Sequence, residues 1–516
     1  MLKYFYFFTA LSSKLLLSYF ISIIFLLNEG NHIMANYLLG IDLGTSSVRA
    51  GLFHTDGTQC AIAARGYPID TPFYDRAEQD PELWWKATCE AIREAATSAR
   101  IQGSDIAGIS FSGQMHGAVL LDKDGALVSP AIIWADSRSS AELDEITKLI
   151  GTEKIEKILL NRFFTGTQAA TLYWLRKHDR DTWRRIRRIL LPKDYIRYRM
   201  CGLYNTEPSD ASATLLFDVT MREWSNDILG ALGIPIEFMP FVVNSDQHIG
   251  ETEGIGESAG IPDGVPVILG GADQPVASLG NGILDEGTMF VAIGTGGQMV
   301  TPLNMPKNAP DLCLNTFCHL PESRWYLMGA TLSAGLCLRW FREKFCPGTS
   351  FDVLSAEAST SPPGADGLIF TPYLAGKRSP EMNPDAAGTF SGIRLMHTRA
   401  HFVRAIMEGV VFELMESFKV MKHMGVIPSR IVASGGWKQS PVWMQIMADS
   451  FAIPLTISAV DEQACFGAAL CAGIGAGLYD SYRNAAERVP EHVKTVEPDA
   501  GNFDMYEEKY EKYKNM

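Results

Sequence analysis

Residues 37–58 read YLLGIDLGTSSVRAGLFHTDGT, and a shorter echo, MFVAIGTGGQMV, returns at residues 289–300. In the first stretch an apolar run ends at Gly44–Thr45, a second run follows, and Asp56–Gly57 supplies a hairpin turn. The second stretch repeats the opening: apolar strand, Gly-Thr-Gly, strand. A chain that begins the same unit twice has two similarly built halves. The segment NGILDEGT, residues 281–288, carries turn residues and charge and marks the boundary between them. Each Gly-Thr turn joins two strands and bares consecutive backbone N–H groups beside one hydroxyl, an arrangement that suits phosphate oxygens. One such turn is a common hairpin; two, each at the head of a half, form a pattern.

Two further glycine turns follow apolar strands. In VPVILGGADQPVASLG, residues 265–280, a strand runs into Gly270–Gly271 and a closely packed helix begins around Pro275. Asp273 stands between them, in the strand-to-helix crevice where open α/β sheets hold ligands. An Asp there is also a good helix N-cap, and capping needs no chemistry. In RIVASGGWKQSPVWMQIMADS, residues 430–450, the strand ends at Gly435–Gly436 and Ser440–Pro441 opens a helix with Trp443, Ile446 and Met447 on one face. Backbone without side chains admits a flat ring closely, so this turn is an adenine seat or an ordinary β-α turn. Trp437 and Trp443 read as packing residues.

The 516 residues exceed what one core organises, and 47% hydrophobic content, 20% charged content and 46 glycines describe a globular α/β chain. Lys plus Arg total 45 against 59 Asp plus Glu, a net charge of −14, with no basic block that would track a phosphate backbone. Nucleic acid is therefore excluded as a partner. RRIRRIL, residues 184–190, reads as the solvated face of a helix. The nine cysteines form no CxxC pair and are odd in number, which favours reduced thiols in a cytoplasmic protein.

The N-terminus points elsewhere. LLLSYFISIIFLL, residues 15–27, resembles a signal sequence or a short anchor. Met34, however, is followed at once by a complete buried strand, and the codons of Glu29 and Gly30 form a purine-rich tract placed like a bacterial ribosome-binding site. The expectation is a native start at Met34, with residues 1–33 an upstream-translated or signal-like segment and no membrane partner.

Taken together, GIDLGTS, GGADQ, IGTGG and SGGWKQSPVW resemble the FGGY family of carbohydrate kinases, in order from about Tyr37 to about Gly475. The segments FSGQMHGAVLLD (111–122), AEQDPELWW (77–85), WADSR (134–138), LLPKDYIRYRMCG (190–202) and SDASAT (209–214) are similar to its xylulokinase branch. The resemblance implies two ribonuclease-H-like, actin-like ATPase domains with an interdomain cleft. Residues 34–282 would hold the sugar and the first phosphate loop, and residues 283–516 the adenine and the second. It implies an ATP-dependent phosphorylation of a ketopentose, D-xylulose to D-xylulose 5-phosphate.

Carried over residue by residue, the resemblance makes Asp273 the general base and Asp42 the residue that holds Mg²⁺ through water. Gly44, Thr45, Ser46, Gly294, Thr295 and Gly296 would contact phosphates, and Gly435 and Gly436 would face adenine. Gln114, Met115, His116, Asp273 and Gln274 would line the sugar site. Gln274 stands where xylulokinases often have Asn, which puts the identity of the sugar in question, since a longer amide displaces its hydrogen-bonding group. Gly297 stands where a Ser-Gly sequence is frequent. The alternatives are a kinase of another ketose, ribulose or gluconate, or a non-catalytic actin-like ATP-binding protein. Asp273 and the SGQMHG strand end speak against the latter, because a filament or chaperone module needs neither a base nor a polyhydroxyl pocket. A homodimer is compatible with the chain, which does not set its oligomeric state.

Overall fold

The computed structural model describes residues 36–516; the apolar run at 15–27 and the Met34 start lie outside the described residues. Two seven-stranded sheets organise the chain. The first contains β1 (Tyr37–Leu43), β2 (Ser47–His54), β3 (Gln59–Gly66), β4 (Ile106–Gly113), β5 (His248–Glu251), β6 (Pro266–Ile268) and β7 (Gly271–Ala272). Its order is β5-β6-β4-β1-β2-β3, with β7 paired to the end of β4. The second contains β8 (Thr288–Ile293), β9 (Gly297–Leu303), β10 (Asn315–Cys318), β11 (Trp325–Thr331), β12 (Arg430–Ser434), β13 (Leu455–Ile457) and β14 (Lys494–Val496), in the order β10-β11-β9-β8-β12-β13-β14.

The repeat seen in the sequence extends to the pairing. In the first sheet β1 is antiparallel to β2 and parallel to β4; in the second β8 is antiparallel to β9 and parallel to β12. Each sheet continues outward with one more antiparallel strand on the hairpin side, and with a parallel and then an antiparallel strand on the other. β10 is the one strand of the second sheet without a counterpart on the path of the first. This is the two-domain ribonuclease-H-like arrangement, with a cleft between the halves. Six of the seven β1 residues are buried, as expected of a central strand covered on both faces.

Helices position the cleft. The helix α1 (Pro81–Ala99) is opened by Asp80, whose carboxylate accepts from the Glu82 N–H, with Pro81 in the first turn, and it packs on β2 and β3. Four others matter below: α2 (Pro192–Cys201), α3 (Asp273–Gly280), α4 (Gly335–Phe345) and α5 (Arg399–His423). Two more, α6 (Pro441–Phe451) and α7 (Gln463–Gly475), follow the second sheet's parallel strands. Although α7 comes late in the chain, it covers β1 and β4 of the first sheet and crosses α3. The crossing is backbone to backbone: a Cβ on Gly467 would sit 1.9 Å from the Val276 carbonyl oxygen, one on Gly280 2.1 Å from that of Gln463, and one on Gly40 1.9 Å from that of Cys465. A further apolar cluster draws on both halves, with Met115 and Ala272 beside Phe290, Phe317 and Tyr326.

The basic cluster at 184–190 is not one helix face. A helix ends at Arg185, and Arg188–Leu190 form a strand antiparallel to Val119–Leu121, because this pairing buries Ile189 and Leu190 completely. Among the described residues no helix is long and apolar enough to cross a membrane.

Candidate active site

The site is built from strand ends. Parallel register pairs Leu43 with Gly113 and Gly113 with Ala272, so the next residues, Gly44, Gln114 and Asp273, emerge side by side at the carboxyl ends of β1, β4 and β7. Asp273 is the first residue of α3, whose cap position is Ala272, so its side chain does not cap the helix. Its Oδ1 is buried without a hydrogen-bond partner. Burial, reinforced by the Asp42 carboxylate and opposed by hydrogen bonding from Gln274, raises its pKa to about 7. A carboxylate with that proton affinity both accepts and releases a proton near neutrality.

Asp42, on β1, accepts a hydrogen bond from the Ser112 hydroxyl at 2.9 Å and lies 3.8 Å from Arg49, its cross-strand partner. Burial raises its proton affinity, while Ser112 and then Arg49 oppose the rise. Arg49 also reaches Glu462 at 3.1 Å, at the start of α7. Asp42, Gly44, Asp273, Gln274, Gly435 and Gly436 help line a polar cavity of about 510 Å³. Among the described residues no three His, Cys, Asp or Glu side chains are grouped to hold a metal by themselves.

The two Gly-Thr turns face this region differently. In the first, the Gly44 N–H donates to the Ser47 carbonyl at 3.0 Å, the Trp134 indole N–H donates to the Thr45 hydroxyl at 2.9 Å, and Ser46 is exposed. The Thr45 hydroxyl keeps its own proton to donate. In the second, Gly294 and Thr295 are exposed at the edge of an apolar cavity of about 280 Å³, walled also by Leu336 of α4, Met407 of α5, and Trp437 and Trp443. Gly296 is a packing glycine, since a Cβ there would approach the Thr331 carbonyl to 2.5 Å.

Gly435 and Gly436 do separate work. Gly435 has φ +91° and its Cβ would lie 2.5 Å from the Ile293 carbonyl at the end of β8, so only glycine fits the turn that leads from β12 toward α6. Gly436 faces open space. It and Gln439 line both cavities, which therefore adjoin. Ser440 caps α6 by accepting from the Trp443 N–H, and both tryptophans are buried, as their sequence positions suggested.

Gln114, Met115 and His116 lie beside the polar cavity without lining it. The Gln114 amide donates to Gln79 at 3.1 Å and its Oε1 is buried without a partner, as is Oε1 of Gln274. Met115 is buried with its sulfur 3.9 Å from the Tyr326 hydroxyl of the other half. His116 has φ +75°, and burial lowers its pKa to about 4. A neutral ring facing the Ala213 carbonyl at 2.7 Å carries its proton on Nδ1, which leaves Nε2 as an acceptor.

Sequence reasoning missed Arg49 and Trp134. The hairpin register sets Asp42 opposite Arg49, so the first was accessible from the turn; Trp134 is brought to Thr45 by a loop with no periodicity to read. It also missed a buried charge cluster directly beneath the β4 end, where Lys193 of α2 meets Asp194 at 2.8 Å, Glu207 at 3.3 Å and Asp210 at 3.4 Å. Gly113 admits Lys193 there, since a Cβ on it would lie 2.7 Å from the lysine Cβ.

Comparison with known proteins places the fold in a family. Residues 37–280 match the N-terminal domain of the FGGY family of carbohydrate kinases, and residues 289–476 match its C-terminal domain. The xylulose kinase of Bacillus subtilis (strain 168) is 35% identical over 481 residues, 93% of this chain and 96% of its own length. The gluconokinase of the same strain is 30% identical over 475 residues, 88% of this chain and 91% of its own. The crystal structure of a xyloylose kinase from Brucella ovis superimposes with a TM-score of 0.85 at 30% identity, covering 93% of this chain and 98% of that one.

Proposed function

The chain belongs to the FGGY family of carbohydrate kinases, and from that membership we propose that it phosphorylates D-xylulose to D-xylulose 5-phosphate with ATP. The observation that carries the reading is Asp273: a carboxylate at the floor of the cleft, one oxygen unpartnered, with a proton affinity near neutrality. A sugar hydroxyl is a poor nucleophile, and phosphoryl transfer asks the protein chiefly to align it and accept its proton. Asp273 does both. The buried Oε1 atoms of Gln114 and Gln274 and the Nε2 of His116 are acceptors for neighbouring sugar hydroxyls.

The apolar cavity suits adenine, which would rest against Gly436 between Leu336 and the two tryptophans. The polyphosphate would then run from one cavity into the adjoining one, past Gly294, Thr295, Gly435 and Gly44 toward Asp273. Mg²⁺ fits this site as an ion held mainly by phosphates and water, because Asp42 offers one carboxylate and among the described residues no three acidic, imidazole or thiol side chains are grouped closely enough to hold a metal by themselves. When bound with ATP it would neutralise polyphosphate charge. Asp42 is the residue that would hold it, through water. We assign the protein to the cytoplasm, in keeping with nine cysteines that are all free.

The test is ADP release from Mg-ATP with D-xylulose, L-xylulose, D-ribulose, L-ribulose, D-fructose, glycerol and D-gluconate. Dominant turnover of D-xylulose supports the assignment, and dominant turnover of another sugar moves the specificity to Gln274 and its neighbours. ATP binding with no turnover on any of them defeats the reading.

A further inference from the structure

Residues 207–214, EPSDASAT, form a turn in which every residue is buried: a short helix, Pro208–Ala211, passes directly into the 3₁₀ turn Ser212–Thr214. This turn touches two separate parts of the sugar site. At one end the Ser209 hydroxyl oxygen accepts the Ala272 N–H at 3.0 Å, from the residue immediately before Asp273. At the other end the Ala213 carbonyl accepts the His116 Nδ1–H at 2.7 Å and so sets the tautomer of that ring. Between them Ser212 fastens the turn to the second half, donating to the Ser209 carbonyl at 3.0 Å and accepting the Cys318 N–H of β10 at 3.1 Å. Gly271 belongs to the same arrangement, because a Cβ there would lie 2.9 Å from the Ser209 oxygen.

The buried charge cluster makes the turn stiff. The Glu207 carboxylate accepts the N–H groups of Ser209 at 2.7 Å and Asp210 at 3.0 Å and the Ser245 hydroxyl at 2.9 Å, and the Lys193 ammonium lies 3.3 Å from it. A buried carboxylate with its partners in place rigidifies the backbone around it. Asp273 has less to hold it. Hydrogen bonding to its carboxylate comes from the adjacent Gln274, and Oδ1 is left without a partner, so the aim of the side chain follows its own stretch of backbone. A misplacement of about 1 Å in a reacting group costs about 100-fold in rate. We propose that Ser209 is a positioning residue for phosphoryl transfer: its hydroxyl fixes the Ala272–Asp273 backbone, and the turn that carries it holds the base at a set spacing from His116. The inference rests on the kinase reading above and extends it to a residue that touches neither sugar nor ATP.

The experiment measures kcat and KM on the full chain with Mg-ATP and the sugar of the panel above that is turned over best. Ser209→Ala should lower kcat about 30-fold and leave KM for sugar and for ATP within about threefold of the wild type. Ser245→Ala removes another fully buried hydroxyl from the same Glu207 carboxylate without a contact to Ala272, and should keep kcat within about threefold. In an Asp273→Asn background, adding Ser209→Ala should lower kcat by less than about threefold more, because a residue that acts through the base has nothing left to position. Ser209→Cys keeps a weaker acceptor in place and should fall between the wild type and Ser209→Ala; it carries the test if the alanine variant does not fold. Three results overturn the inference: equal losses in Ser209→Ala and Ser245→Ala, a full multiplicative loss in the double variant, or a raised sugar KM at unchanged kcat. Each leaves the kinase reading standing. A wild-type chain that turns over no sugar of the panel defeats both.

Discussion

Replacing Asp273 by Asn should abolish turnover and stabilise the fold, and the size of the second effect follows from the site. The carboxyl pKa rises from 3.8 to about 7, first through burial and then through Asp42. Those roughly three units correspond to about 4 kcal/mol against the ionised form, at about 1.36 kcal/mol per unit. The residue keeps partial exposure to the cleft, so solvent screening brings the expectation nearer 2 kcal/mol. Because the folded pKa lies above the unfolded one, the native state carries no penalty below about pH 4. It loses stability as pH rises through about 7. Asn is neutral throughout and preserves the volume. Urea denaturation of both proteins should therefore give equal stabilities at pH 4 and a variant more stable by about 2 kcal/mol at pH 8, while its turnover falls by about a thousandfold. A stability difference that does not vary with pH, or near-normal turnover in Asp273→Asn, would refute the reasoning.

Four other predictions concern the same cleft. The kcat/KM for the sugar should rise tenfold per pH unit below about 7 and level off above it, since the protonated Asp273 cannot accept a proton; a profile flat from pH 5 to 8 removes it as the base. Gly436→Val should raise the KM for ATP about tenfold or more with stability unchanged, whereas Gly435→Ala should cost about 2 kcal/mol through its positive φ and the Ile293 carbonyl, measurable by calorimetry. Gln274→Asn should change the ratio of kcat/KM between D-xylulose and D-ribulose by about tenfold, and an unchanged ratio excludes that amide from sugar selection. Sugar and nucleotide together should compact the molecule in small-angle scattering, because a transfer site must shut out water.

What the sequence made legible was local. The strand–Gly-Thr–strand units at 37–58 and 289–300 became matched hairpins because glycine conformation and hairpin turns are decided within a few residues. Asp273 could be placed at a strand end from the apolar run and glycines before it. Its unpartnered oxygen could not, since that depends on Asp42 and on the burial created by the opposite half. Ile189 and Leu190 looked like part of a basic helix because the strand that buries them, Val119–Leu121, lies some seventy residues earlier.

The glycine-lined crossing of α3 and α7 bears on how the protein is made. The first sheet leaves the ribosome complete, but the helix that roofs β1 and β4 is encoded roughly 190 residues later, a wait of about 10–40 s at ordinary elongation rates. During that interval the nascent N-terminal half has an open apolar face. Its lasting closure waits for a segment of the other half to arrive and dock against bare backbone, which ties the maturation of the first half to the synthesis of nearly the whole polypeptide.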